Sequence, residues 1–340
     1  MQLDRRRFTA LMLGAAAAAA IAGPASADDD PLPSWNDGPA KQAILKFVRA
    51  TTDAGSPDFV QPADRIATFD QDGTLWVEQP IYTQILFAFS RVPEVVKERP
   101  ELANEPGFKA VLSGDHAAIA SLPEEELLSV IGATLTGMDV ETYRDEVAAW
   151  IRDARDTRWK KPYTDLVYQP QIELLNYLRS VGYRTYIVTG GGQDFVRTYA
   201  ESVYGIPPEQ VVGTMFGLGF DRSADGKTVL MREPRLVLND DHAGKPEGIH
   251  LMIGRRPHFA FGNSVGDREM LEYTKAGAGA RLAMIVLHDD ATREYAYGPA
   301  QGLPDTKVGT FTQALYDEAA NNGWIVVSMK SDWRRVFAFE

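Results

Sequence analysis

The chain has 340 residues, 44% of them hydrophobic, with 47 acidic side chains against 35 lysines and arginines and a formal net charge of −12. Such an acidic balance argues against nucleic acid or an anionic membrane surface as the main partner. It contains no cysteine, which excludes disulfides, thiolate metal sites and cysteine nucleophiles and suits an oxidising compartment.

Residues 1–27 read as an address. Arg5, Arg6, Arg7 and Phe8 give the R-R-x-F of a twin-arginine signal, and an Ala-rich apolar stretch from Ala10 to Gly23 follows. That stretch is too short and too weakly apolar to span a bilayer. Ala25-Ser26-Ala27 supplies the small-x-small site at which a signal peptidase cuts. The expectation is a periplasmic or secreted protein, exported folded, with the twin-arginine translocon as a passing partner and no stable membrane insertion. A disordered leader with a chance arginine pair is the plainer alternative. Without Asp4 and Arg5 to Arg7, 32 basic residues face 46 acidic ones, a balance of −14.

The remaining 313 residues suffice for one large domain, or for a core with a smaller insertion. Residues 28–40, rich in Asp, Pro and Gly, read as a mobile lead-in, and an amphipathic helix is expected over Ala40 to Thr51. Arg65 to Phe69 reads as a short buried strand that ends abruptly in Asp-Gln-Asp-Gly. From Ile81 to about Arg158 the apolar spacing turns helical, as in Leu127-Leu128-Ile131 and Val147-Trp150-Ile151. Beyond it the pattern gives a helix at about 169–181, a strand from Tyr183 to Val188, and a helix at about 193–204. Strands near 211–220 and 227–239 follow, joined by a turn at Ser223-Ala224-Asp225-Gly226. A helix at 245–253, a strand from His258 to Phe261, a helix from Asp267 and a strand from Arg281 to Leu287 complete the alternation. Strands alternating with helices imply an α/β fold whose mostly parallel sheet is covered on both faces.

In such a sheet, ligands bind beyond the carboxyl ends of the strands, so the residues that follow each strand matter most. Phe69-Asp70-Gln71-Asp72-Gly73-Thr74 places two carboxylates two residues apart, with Gly73 permitting a tight turn. Thr189 with Gly190, Gly191 and Gly192 sets a hydroxyl beside backbone N–H groups suited to an anion. Lys245 stands at a helix start, and Gly262-Asn263-Ser264-Val265-Gly266-Asp267 carries an amide oxygen and a carboxylate four residues apart. Taken one at a time, each reads equally well as a solvated turn, a surface charge, a flexible loop or a helix cap. Their joint placement after successive strands is what a site requires.

At these residues the chain resembles the haloacid dehalogenase superfamily, and specifically its phosphatases of the phosphoserine-phosphatase-like branch. The resemblance rests on D-x-D-G-T followed in order by Thr, Lys and the Asn-to-Asp element, over roughly residues 63–76 and 160–290. It implies a Rossmann-like core at 63–76 and 160–340, a helical cap at 77–159, and a lead-in with one helix at 28–62. It implies Asp70 as the nucleophile and Asp72 as the proton shuttle. Thr189 and Lys245, with Gly190 and Gly191, would hold the phosphoryl group. The available ligands are hard oxygens, which suits Mg²⁺: the Asp70 carboxylate, the Asp72 carbonyl, Asp267 and Asn263. Asn263 departs from the Asp common in that superfamily and removes one negative charge.

Trp76, Glu78 and Tyr82 fall at the hinge into the helical segment, and Glu78 is a candidate for contact with the substrate. Arg158, Trp159, Lys160, Lys161 and Tyr163 at the return hinge suit an anionic substrate or a solvated basic turn. The five histidines show no ligand spacing; His242 is near Lys245 in a surface or capping place. The expected partner is a small phosphorylated substrate. The alternatives are a phosphate-binding relative that turns over weakly or not at all, and a dehalogenase, which needs neither Asp72 nor a metal.

Overall fold

The computed structural model describes residues 30–340; the expected signal segment lies outside the described residues. Seven strands form one sheet in the order β4-β3-β2-β1-β5-β6-β7: β1 Ile66–Phe69, β2 Arg184–Gly192, β3 Val211–Arg222, β4 Thr228–Leu238, β5 Phe259–Gly262, β6 Leu282–Leu287 and β7 Ile325–Ser328. Every pairing is parallel except the β3–β4 hairpin. β1 is central and all four of its residues are buried, as expected of a strand with both faces covered.

Helix α1, Pro39–Thr52, buries Ile44, Phe47 and Val48 on one face. Its Phe47 ring lies 5.9 Å from Phe259, which in turn lies 5.4 Å from Phe69. Five helices, α2 Thr83–Glu98, α3 Pro106–Ser113, α4 His116–Ala120, α5 Glu124–Leu135 and α6 Val140–Asp153, form an insertion between β1 and α7, Gln169–Ser180. Helices α2, α3 and α5 share a small apolar core of Val92, Val95, Phe108 and Val130, while Tyr143, Val147 and Ile151 of α6 join the main core. The outer end of the hairpin joins this insertion, since Arg232 donates through Nε to the Leu135 carbonyl and Gly137 N–H donates to the Arg232 carbonyl. Helix α8 spans Gln193–Arg197, α9 Ala200–Tyr204, α10 Gly244–Gly248, α11 Arg268–Lys275, α12 Gln313–Asn321 and α13 Met329–Asp332.

The alternation expected from sequence is present, with three differences. The lead-in is anchored: Leu32 and Trp35 are buried, Trp35 packs edge-on to Trp333 at 5.9 Å, and Ser34 bonds to Glu173. The helix expected at 193–204 is two short ones, α8 and α9, broken at Thr198 and Tyr199. A seventh strand, β7, follows α12 and lies beside β6.

β1 pairs with β2 on one side and with β5 on the other. The connections therefore diverge at its carboxyl end, which opens a crevice there.

Candidate active site

Asp70 leaves β1 at the mouth of that crevice. A turn follows in which Gly73 has φ +76°, a left-handed conformation, and a Cβ there would collide with Asn263 and Glu78. Lys245 is 2% exposed. Its Nζ donates to Asp70 Oδ1 at 2.6 Å, to Asp267 Oδ1 at 2.6 Å and to the Val188 carbonyl at 3.1 Å. Burial would lower the Lys245 ammonium, but the carboxylates of Asp267 and Asp70 overcome it and push it up. Burial and the neighbouring Asp267 raise the Asp70 carboxyl well above the usual carboxylate range, against the pull of Lys245. Two carboxylates thus share one ammonium. The other Asp267 oxygen accepts from the Asn263 and Ser264 N–H groups at 2.8 and 3.1 Å, so both oxygens of Asp267 are engaged.

Two residues on, Asp72 Oδ1 accepts from the Trp76 indole N–H at 2.7 Å. Burial raises its carboxyl to about 6, partly offset by that indole. A carboxyl in this range exchanges protons near neutral pH.

Thr189 is buried at the end of β2, and its Oγ1 accepts from Gly191 N–H at 3.0 Å. Gly192 N–H donates to Gln84 Oε1 at 2.6 Å, and the Gly190 carbonyl accepts from the Thr214 hydroxyl at 2.8 Å. The glycine segment is therefore built into the cavity wall, with two of its amides already partnered.

Behind the turn lies a buried polar network. Asn263 Nδ2 donates to Glu78 Oε1 at 2.6 Å, and the Tyr297 hydroxyl donates to the same oxygen at 2.8 Å. The Thr74 hydroxyl stands 3.2 Å from Asp70 Oδ2 and 3.3 Å from Asn263 Oδ1. Burial pushes the Glu78 carboxyl well up. His288 Nε2 donates to the Gly73 carbonyl at 2.7 Å, its Nδ1 lies 3.1 Å from Glu294 Oε2, and its ring stacks on Tyr297 at 4.4 Å. His288, Glu294 and Tyr297 escaped the sequence reading. His288 directly follows β6, so the rule that found Asp70 applies equally to it.

The return-hinge residues pack away from the cavity. Arg158 donates to the carbonyls of Glu294, Ala291 and Thr292 and lies over the rings of Trp159 and Tyr295. His242 has φ +50° and stands 3.7 Å from Asp241 and 3.9 Å from Glu269.

Among the described residues, no three acidic or histidine side chains gather into a metal cage. A cation that keeps several waters needs no such cage. Asp70 and Asn263, tied by Thr74, offer hard oxygens, and the Asp72 carbonyl leaves the same turn. The carboxyls of Asp70, Asp72 and Asp267 lie around the single ammonium of Lys245. A small divalent cation fits that donor set and its excess of negative charge.

Above this floor opens a cavity of about 610 Å³. Tyr82, Gln84 and Ile85 line it from the start of α2, Leu128, Ile131 and Leu135 from α5, and Phe216 and Leu236 from the hairpin.

A family model for haloacid dehalogenase-like hydrolases matches residues 67–272. No curated protein matches the chain. Among solved structures, it is similar to a conserved functionally unknown protein from Anaerococcus prevotii, at 15% identity over 74% of this chain and 86% of that one, with a TM-score of 0.49. A protein of unknown function from Bordetella pertussis gives 16% identity over 77% and 97% of the two chains, with a TM-score of 0.45. A phosphoserine phosphohydrolase-like protein from Francisella tularensis gives 16% over 66% and 88%, with a TM-score of 0.33.

Proposed function

The chain belongs to the haloacid dehalogenase-like hydrolase family, and we propose that within it this protein is a phosphatase that cleaves phosphate monoesters through an aspartyl-phosphate on Asp70. What carries the reading is the convergence of two carboxyls and one ammonium at the mouth of a single crevice. Asp70 is held against Lys245 at 2.6 Å, and Asp72, raised to about 6, faces the same crevice.

An Asp70 oxygen attacks phosphorus and the bond to the leaving oxygen breaks in line. Asp72 gives its proton to that oxygen. It then takes one from the water that attacks the acyl-phosphate, which restores Asp70 and releases phosphate. The Lys245 ammonium beside Asp70 and the Thr189 hydroxyl offset the charge that spreads over the phosphoryl oxygens. Mg²⁺ held by Asp70, the Asp72 carbonyl and Asn263, with Asp267 beside them, would supply further neutralisation of that charge. The helices inserted between β1 and α7 act as a cap that excludes water from the reacting group. Asp72 disfavours dehalogenation as the reaction, since that chemistry has no leaving oxygen to protonate. The arginine pair and small-x-small site of the first 27 residues support export by the twin-arginine pathway and action outside the cytoplasm.

The test is phosphate release from an aryl phosphate with added Mg²⁺. Turnover that disappears in Asp70→Asn and on chelation of the metal is the expected result. An Asp70→Asn protein with normal turnover overturns the assignment.

A further inference from the structure

The cavity that holds the reacting phosphoryl group has a second half with a different chemistry. Away from Asp70 six apolar side chains stand in its wall, Ile85, Leu128, Ile131, Leu135, Phe216 and Leu236, beside the uncharged polar Gln84, Thr214 and Asn239. They converge from three separate elements, α2, α5 and the hairpin, where Phe216 and Leu236 are directly paired across the strands. Leu128 and Leu236 are 57% and 52% exposed. Two large aliphatic side chains bared inside a concave site mark a surface that a ligand covers.

The cations are equally telling. Lys245 is the one basic residue among those lining the cavity. Its three N–H groups are directed to Asp70, Asp267 and the Val188 carbonyl. The buried Arg232 of the hairpin donates to Leu135 and pairs with Asp194. The charged side chain on the outer rim is Asp241, which repels anions. A carboxylate or a second phosphate would find no further basic partner among the lining residues, and covering an unpaired charge against apolar side chains is costly.

We propose that the substrates are phosphate monoesters of apolar, uncharged alcohols, alkyl or aryl phosphates, and not phosphoserine or bisphosphates. The inference rests on the phosphatase reading for its reaction. The chamber's choice of ligand is measurable without turnover.

The first experiment is calorimetric binding of ethylphosphonate, hexylphosphonate and phosphonoacetate to the full protein. Hexylphosphonate binds at least about tenfold more tightly than ethylphosphonate, because each added methylene leaves water, and phosphonoacetate binds most weakly. A flat series, or tighter binding of phosphonoacetate, overturns the proposal. Chain-length-dependent binding without hydrolysis of hexyl phosphate sustains the chamber's choice of an apolar ligand and overturns the phosphatase reading, and with it the ligand's role as a substrate. The second experiment uses Leu236→Arg, an exposed position where folding is readily retained and checked by circular dichroism. The ratio of hexylphosphonate to phosphonoacetate affinity falls at least about tenfold in this variant. An unchanged ratio in the folded variant places the ligand elsewhere and overturns the proposal.

Discussion

The floor and the outer wall of the cavity are built on opposite principles. On the floor most polar side chains are buried and tied to one another: Lys245 holds Asp70 and Asp267, Thr74 joins Asp70 to Asn263, and Asn263 is held by Glu78. On the wall, apolar side chains from an inserted helix and a hairpin face open space. Strand ends set in a packed sheet can fix atoms to fractions of an ångström, and chemistry needs that. Partly exposed leucines on elements outside the sheet set only shape and polarity, which is all that selection of an apolar group requires. A change on the floor should therefore cost both fold and turnover. A change on the wall should cost neither, and alter only which substrate is preferred.

The largest effect tests the first half of this contrast. Lys245→Met leaves Asp70 and Asp267 facing each other with no ammonium between them, so chemical denaturation should show a loss of about 3–5 kcal/mol, with turnover lost as well. A variant as stable as the parent would show that the ion cluster does not hold the floor together.

The Glu78–Asn263 bond offers a sharper test. Asn263→Asp sets a carboxylate against Glu78 at hydrogen-bond distance, and thermal unfolding near pH 7 should reveal a destabilisation of about 1–3 kcal/mol. Adding Glu78→Gln restores the bond with donor and acceptor exchanged, so the double variant should regain most of that loss. Additive losses would mean that the pair is incidental.

pH supplies the third test. With its carboxyl raised to about 6 by burial, Asp72 is protonated below that value and ionised above it. For an alkyl phosphate, whose leaving oxygen needs the proton, kcat/KM should fall as pH rises through about 6. A nitrophenyl phosphate, which leaves unprotonated, should be less affected. Equal profiles for the two substrates would assign the proton elsewhere. On the wall, Leu128→Ala should lower kcat/KM for hexyl phosphate by only about two- to fivefold, while the melting temperature and the ethyl phosphate rate hold.

The same division governs what could be read from sequence. Asp70, Asp72, Thr189, Lys245 and Asp267 were legible because each stands next to an apolar run or a helix start, and a local rule picks it out. Six strands were visible for the same reason. β7 was not, since Ile325–Ser328, though as long as β1 and β5, lies far from any motif. Trp35 was hidden by its Pro, Gly and Asp neighbours, although it is buried against Trp333. The break between α8 and α9 follows no proline or glycine and depends on packing: Tyr199 is buried, stacked on Trp76 at 5.1 Å and bonded to Gln71. Phe216 and Leu236 read as ordinary strand residues; only the hairpin register and the approach of α5 bring them to the cavity. The partners of Glu78 lie 185 and 219 residues away, beyond any local pattern.

The most direct measurement is to quench a single turnover with acid and map the phosphoryl group by peptide mass spectrometry. The account places a phosphoryl increment on the peptide holding Asp70, formed and lost at rates that match turnover. Phosphate released with no modified peptide, or with the increment on another residue, would contradict it.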